Sequence, residues 1–355
     1  MENNLSLFDK IPKEDYEDLI YCNDEELGLN AIIGIHDTTL GPSIGGTRMW
    51  NYSSEKEALN DVLRLSRAMT LKSSLAGLNA GGGKAVIIGD IKSKNENFIK
   101  KYASFINDLK GKYWTAQDVN ISAQDMIWMK EVTPYVVGMP EEKGGLGDSS
   151  YPTAYGVYLG MKAAVKFVFG EDSLEGKKIA VQGVGKVGEK LLNYLVKEGA
   201  EIFISDINPD KLNSLSTKHK LKVLKNDELF SMSVDILSPC ALGSVINSNN
   251  IKKLKCKIIA GAANNQLEDD KIHDKQLKEN RITFVPDFLI NAGGIISVYH
   301  EQIQNLDKEK VFEMTEGIYS KVTEVLTLSE KNNISTNESA MQIAQNRIIR
   351  KKKSS

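Results

Sequence analysis

The chain has 355 residues, 41% of them apolar and 26% charged. That length favours two domains, each with its own core. Its 45 basic residues nearly balance 47 acidic ones, a formal net charge of −2, which argues against nucleic acid or an anionic membrane as partner. Cys22, Cys240 and Cys256 stand far apart, so neither a disulfide framework nor a zinc signature is written here. The start, MENNLSLFDK, lacks the blocks of a signal peptide, and no run nears the ~18 apolar residues of a membrane helix. These readings predict a soluble, cytoplasmic protein, with the basic end RIIRKKKSS as a solvated helix terminus.

In chain order, LNAIIGIHDTT (29–39) alternates enough for a strand. Ser54 and Glu57 form a capping box before a helix with Leu59, Val62, Leu65 and Met69 at helical spacing. Next comes LKSSLAGLNAGGGKAVIIGD (71–90), in which three glycines run into Lys84 and an apolar strand, with Lys72 twelve residues upstream. Three glycines leave room for a small ligand against the backbone, although a bland turn with an exposed lysine is the alternative. Lys72 continues the apolar face of its helix and either snorkels to water or holds an anion.

Proline, glycine and serine cluster in PEEKGGLGDSSYP (140–152), which places the main boundary near residue 145. Beyond it KIAVQ (178–182), EIFIS (201–205), VDILS (234–238), KIIAG (257–261) and ITFVP (282–286) alternate with helical stretches. That pattern predicts an α/β, doubly wound Rossmann domain with a parallel sheet. The first of these strands ends in GVGKVG: Gly183, Val184, Gly185, Lys186, Val187 and Gly188. It follows a strand and opens a helix, as a dinucleotide-binding turn must. Gly183 makes the turn, Gly185 admits the pyrophosphate and Gly188 lets helix and strand close up. The helix N-terminus offers free N–H groups to phosphate. Asp206, 23 residues after Gly183 and followed by Ile207, accepts the ribose hydroxyls and repels a 2′-phosphate. The cofactor is therefore expected to be NAD rather than NADP. A structural βαβ turn with an incidental aspartate is the competing reading.

GPSIGGTRMW (41–50), MTLKSSLAGLNAGGGKAVIIGD (69–90), TAQDV (115–119), PTAYGVYLGMKAA (152–164), GVGKVG, SPCALG (238–243), GAANNQL (261–267) and PDFLINAGG (286–294) occur in this order. Together they resemble the Glu/Leu/Phe/Val amino-acid dehydrogenase family, with the leucine dehydrogenases as nearest branch. The resemblance implies an N-terminal substrate-binding and catalytic α/β domain (1–145), joined by returning helices over 326–355. It also implies a Rossmann NAD-binding domain (146–325) and a cleft between the two. The reaction implied is reversible oxidative deamination of an L-amino acid to a 2-oxo acid, ammonium and NADH. In that scheme Lys84 activates the attacking water, Lys72 pairs with the substrate carboxylate, and Asp118 handles protons at the amino group. Gly45, Gly46, Met69 and Asn265 line the substrate site, and Thr153, Cys240, Ala241, Asn264 and Asn291 lie along the cofactor.

A lysine that acts as a base must be neutral, so its pKa must fall ~2 units or more from ~10.4. Burial and the neighbouring charge of Lys72 are the expected causes. The matched side-chain pocket comprises Ile44, Ala116, Val137, Ile295 and Val298. Branched aliphatic residues there leave little room for a ring and offer no cation for a γ-carboxylate. Leucine, isoleucine or valine is therefore expected, against a bulkier or aromatic amino acid. A non-catalytic NAD-binding regulator is the alternative of another class. The chain departs from the family pattern at Val137 (threonine expected), Asn120 (glycine expected) and Gly188 (commonly alanine), and it lacks the usual proline-serine pair after Asp148. No metal is required, and His36, His219, His273 and His300 are scattered. The family also implies a homo-oligomer.

Overall fold

The computed structural model describes residues 16–241 and 243–354, which divide into two units. The first runs to Gly147 and takes in Ser297–Asp307 and the chain from Ala344. The second comprises Asp148–Ile296 and Lys308–Ile343.

The first unit is built on β1 (Asp18–Asp24), β2 (Leu29–Asp37), β3 (Ser43–Trp50), β4 (Gly81–Ile88) and β5 (Tyr113–Gln117). Their order is β1-β2-β4-β3-β5. The pairs β1–β2 and β2–β4 are antiparallel, whereas β3 runs parallel to both β4 and β5. Helix α1 (Glu55–Leu75) covers one face, burying Ala58, Val62 and Leu63 against Ile32 and Val86. On the other face α2 (Glu96–Asp108) brings Phe98, Tyr102 and Ile106 against Ile33, Ala85 and Ile87, and α3 (Ala123–Lys130) adds Met126 and Met129. The predicted capping box forms by half. Ser54 accepts from the Glu57 N–H, but the Glu57 carboxylate turns to the Ser53 N–H and hydroxyl instead of to Ser54.

The second unit is the predicted parallel sheet. Its strands are β6 (Lys178–Gln182), β7 (Glu201–Ser205), β8 (Lys222–Val223), β9 (Ile236–Pro239), β10 (Ile258–Ile259) and β11 (Thr283–Phe284). The order is β11-β10-β9-β6-β7-β8, and every pair is parallel. Chain order reverses between β6 and β9, the switch point at which doubly wound sheets bind ligands outside their C-terminal ends. The longer helices of the rest of the chain are α4 (Ser150–Phe169), α5 (Lys186–Lys197), α6 (Pro209–His219), α7 (Asp270–Glu279), α8 (Gly293–Gln302), α9 (Lys308–Asn332) and α10 (Thr336–Ser354).

The returning segment is shorter than the sequence suggested. Residues 326–343 stay with the second unit because α9 buries Val322, Val325 and Leu326 there. Alpha4 also meets α9 closely: a Cβ at Gly156 would lie 2.5 Å from Ile318 Cδ1. Of the stretch 326–355 only the end of α10 joins the first unit, which also takes Ser297–Asp307 out of the segment expected to be Rossmann domain. There Arg347 donates to the Leu78 carbonyl at 2.6 Å, and Lys352 pairs with Asp37 at 3.0 Å. Among the described residues no helix is long and apolar enough to cross a membrane.

Candidate active site

Strand alternation assembles the first-unit site. Gly34 faces α1, where an added Cβ would meet Ser66 and Val62, and Gly34 pairs with Lys84. Cross-strand partners share a face, so Lys84 lies on the α1 side with Gly82. Ile44 pairs with Gly82, Arg48 with Val86, and Gly46 with Ala116. Ile44, Gly46, Arg48, Lys84 and Ala116 therefore occupy one face, and Asp118 follows directly after β5. Met69 and Lys72 stand on the last turns of α1, which covers that face; both are half-buried.

Lys84 is only 6% exposed, and its Nζ lies 2.8 Å from Asp118 Oδ2. The bland reading, an exposed lysine after a glycine turn, is excluded by that burial. The same Asp118 Oδ2 accepts from Arg48 Nε at 3.0 Å. Arg48 Nη1 reaches Asp61 Oδ2 at 3.0 Å, and Asp61 also accepts from Tyr52 Oη at 2.7 Å and from Arg64 Nη2 at 3.1 Å. Burial pushes the Lys84 pKa below the ordinary lysine value; Asp118 opposes that and the Arg48 charge reinforces it. Burial works to raise Asp118, but Lys84 and Arg48 overcome it and hold the carboxyl below its usual range. Arg48 thus acts on Lys84 in the way the sequence reading assigned to Lys72. Alternation from Ile44 through Gly46 was the one signal that could have placed Arg48 on this face.

The glycines do different work from that expected. A Cβ on Gly82 would lie 2.0 Å from Thr70 N, one on Gly83 2.7 Å from the Tyr113 ring, and one on Gly81 2.2 Å from the Asp37 carbonyl. Gly45 would meet the Gly83 carbonyl at 1.8 Å, and Gly46 the Gln117 carbonyl at 2.8 Å. Protein fills the room that was predicted for substrate and water. These glycines let strands and helix approach each other.

Of the pocket positions, Ile44 and Val137 are fully buried, and Ala116 and Val298 are half-buried. The Val137 N–H donates to the Thr115 carbonyl at 2.9 Å, next to Ala116. A Cβ at Gly138 would lie 3.6 Å from Val298. Glu301 ties this segment down, accepting from the N–H groups of Gly138, Met139 and Leu146 at 2.7, 3.2 and 2.8 Å. Nothing in the sequence singled it out. Ile295 is buried and Asn265 exposed, the latter with a positive φ of 51°, and both belong to the second unit.

In the second unit Gly183 leaves β6 with φ at +91°, and a Cβ there would strike Ala241. One on Gly188 would lie 2.2 Å from the Gly183 carbonyl, whereas one on Gly185 meets nothing within 4 Å. Gly185 caps α5 with no side-chain bond, so the helix N-terminus keeps N–H groups for a phosphate. Val184 is buried, Lys186 exposed and Val187 half-buried. Asp206 accepts from the Val184 N–H at 2.8 Å and the Asn208 N–H at 2.9 Å, so it also braces the loop. Ile207 is 100% exposed, an uncovered apolar surface beside that carboxylate. Cys240 and Ala241 follow β9 across the switch point, and the Cys240 N–H donates to the Gln182 carbonyl at 2.7 Å. Asn291 donates to Asn264 Oδ1 at 2.7 Å and to the Ala262 carbonyl at 3.1 Å. Thr153 Oγ1 donates to the Ser149 carbonyl. An open glycine, an uncapped helix and an exposed isoleucine suit a dinucleotide's phosphate and adenine. The cysteines are free, and the described residues hold no cluster of three or more metal-binding side chains.

Two family models match the chain. Residues 18–135 match "Glu/Leu/Phe/Val dehydrogenase, dimerisation domain", and residues 204–355 match "Glutamate/Leucine/Phenylalanine/Valine dehydrogenase". A leucine dehydrogenase of Bacillus subtilis is 47% identical, covering 99% of this chain and 96% of its own. A phenylalanine dehydrogenase of Lysinibacillus sphaericus is 43% identical over 95% and 89%. The crystal structure of an L-tryptophan dehydrogenase from Nostoc punctiforme superposes with a TM-score of 0.89 at 39% identity, covering 98% of this chain and all of its own.

Proposed function

The chain belongs to the Glu/Leu/Phe/Val dehydrogenase family, and on that premise we propose that it deaminates branched-chain L-amino acids. Enzyme class and cofactor come with the family: it is an amino-acid dehydrogenase that uses NAD. NAD supplies a two-electron acceptor for the hydride of the amino acid's Cα. Gly183, Gly185 and the first turn of α5 would hold its pyrophosphate, and Asp206 and Ile207 its adenosine.

The remaining steps fall to this chain's own side chains. Lys72 takes the substrate carboxylate, while Asp118 accepts a proton from the substrate ammonium. Once the Cα–N bond has become an imine, neutral Lys84 removes a proton from water as its oxygen bonds to that carbon. Asp118 returns its proton to the nitrogen, and the C–N bond breaks as the hydroxyl proton passes to the departing ammonia. Ammonium and the 2-oxo acid remain, while Lys84 gives its proton to water. The observation that carries this reading is the buried 2.8 Å contact between Lys84 and Asp118. It sets a base and a carboxylate within one proton transfer of each other.

In the first unit Ile44, Val137 and Val298 are branched aliphatic side chains without a cation among them, which favours leucine, isoleucine or valine. Discrimination among these three is soft, since one methylene is worth ~1–3 kcal/mol. The likeness to the tryptophan dehydrogenase structure favours a second reading, in which the same chemistry acts on an aromatic amino acid. Turnover on leucine, isoleucine, valine, phenylalanine and tryptophan with NAD at alkaline pH separates them. Preference for an aromatic substrate removes the branched-chain reading, and NAD binding without turnover on the whole panel supports a regulator instead. The match to a dimerisation domain supports a homo-oligomer built through the first unit.

A further inference from the structure

We propose that Arg48, held in place by Asp61, is the positioning residue that fixes the Asp118 carboxylate and directs one of its oxygens toward the substrate. The inference rests on Lys84 and Asp118 being the reacting pair. Both cations beside Asp118 bind the same oxygen: Lys84 Nζ lies 2.8 Å and Arg48 Nε 3.0 Å from Oδ2. That division leaves Oδ1 for the amino group. A carboxylate at the end of a strand has two free torsions, and one ammonium does not fix both. A second donor on the same oxygen, from a planar guanidinium that Asp61 holds at its other edge, narrows the freedom that remains.

Arg48 is itself fixed from behind. Its Nη1 meets Asp61 Oδ2 at 3.0 Å, and Asp61 is secured by Tyr52 Oη and by Arg64. The charged and titratable groups around this network are Lys84 from β4, Arg48 from β3, Asp118 after β5, Glu57, Asp61 and Arg64 from α1, Tyr52 ahead of it, and Tyr113 from β5. The Tyr113 hydroxyl donates to the Gly45 carbonyl. A cavity of about 500 Å³, with Arg48, Trp50, Tyr52, Asp61 and Arg64 in its wall and Lys84 not among its lining residues, opens to solvent.

The direction of the electrostatic effect follows from the signs. The Arg48 charge disfavours the ammonium of Lys84 and favours the carboxylate of Asp118. Its loss raises both pKa values, so the neutral lysine first appears at higher pH. Arg48→Gln should lower kcat about tenfold to a hundredfold, the cost of a misplaced reacting group. The acid limb of kcat/KM should move up by about one pH unit, with the affinity for NADH unchanged. Arg48→Lys keeps the charge without the fork, so it should restore the limb and leave kcat low. Asp61→Asn should shift kcat in the same sense by less. Guanidinium entering the cavity should restore part of the activity of Arg48→Ala.

A folded Arg48→Gln with wild-type Tm, kcat and acid limb overturns the proposal. If that variant does not fold, an unmoved kcat in Asp61→Asn with a fully active Arg48→Lys overturns it. A wild-type protein inert on every amino acid removes the underlying reading as well, whereas an active wild type with indifferent variants removes this inference alone.

Discussion

The two glycine-rich stretches look alike in the sequence and behave in opposite ways. Around Gly81–Gly83 every imagined Cβ meets protein within 3 Å: the Asp37 carbonyl, Thr70 N or the Tyr113 ring. Around Gly185 it meets nothing within 4 Å. The first stretch is bare so that the chain can approach itself, and the second so that something else can approach the chain. Consequently the proposed Lys84 site consists of side-chain charges, with Lys84 itself buried, and the proposed Gly183–Gly188 site of main-chain N–H groups left open. A glycine run therefore becomes evidence of a ligand only once its neighbours are known.

The sharpest break in this comparison is Lys84→Ala. Losing a base from the sealed site should reduce kcat by ~10³-fold or more. The open site lies in the other unit, so NADH titrated by its fluorescence should bind as in the wild type. Loss of NADH binding together with kcat would instead make Lys84 part of the cofactor site.

Next in size is a matched pair of alanines. Gly82→Ala drives a methyl into Thr70 N at 2.0 Å, backbone that cannot swing aside. It should cost about 3 kcal/mol or more and lower Tm by about 5–10 °C. Gly185→Ala should leave Tm alone and weaken NADH by about tenfold, near 1.4 kcal/mol, because its methyl occupies space kept for phosphate. Calorimetry and NADH titration of both proteins read the contrast directly. Equal Tm values in the two variants would erase it.

How much of this could be read beforehand differs between the units for the same reason. In the second unit five of the six strands announce themselves locally, and β6 and β7 lie where the sequence put them, at 178–182 and 201–205. Two-residue, exposed β8 left no pattern to find. In the first unit Gly81–Gly83 read as a turn leading into a strand, yet Gly81 already begins β4. Glycine ordinarily weakens a strand; here only glycine fits between α1 and β5. Lys84 and Asp118 were legible through family motifs, but their mutual distance was not. Arg48, Lys84 and Asp118 are more than thirty residues apart in sequence, and only the pairing of β3 with β4 and β5 unites them. The Asp61 and Glu301 anchors were illegible for a similar reason. Each acts on distant residues, Asp61 on Arg48 and Glu301 on the N–H groups of Gly138, Met139 and Leu146, and no local pattern records that.

The smallest expected effect concerns the turn that carries Asp118. The family pattern puts glycine at position 120, and this chain has Asn120 at φ +61°. Asparagine is among the few side chains that enter the left-handed region readily, so the turn survives the exchange. It also gains a bond, from Asn120 Nδ2 to the Met49 carbonyl at 3.0 Å, which ties the turn to β3 one residue from Arg48. Asn120→Gly keeps the backbone and loses that bond, for about 1 kcal/mol at most. Asn120→Ala loses the bond and adds left-handed strain, for roughly 2 kcal/mol. Urea midpoints at constant m-value would rank the three proteins. If alanine and glycine prove equally stable, the backbone requirement at this turn is not what selects the residue, and the bond to Met49 alone accounts for Asn120.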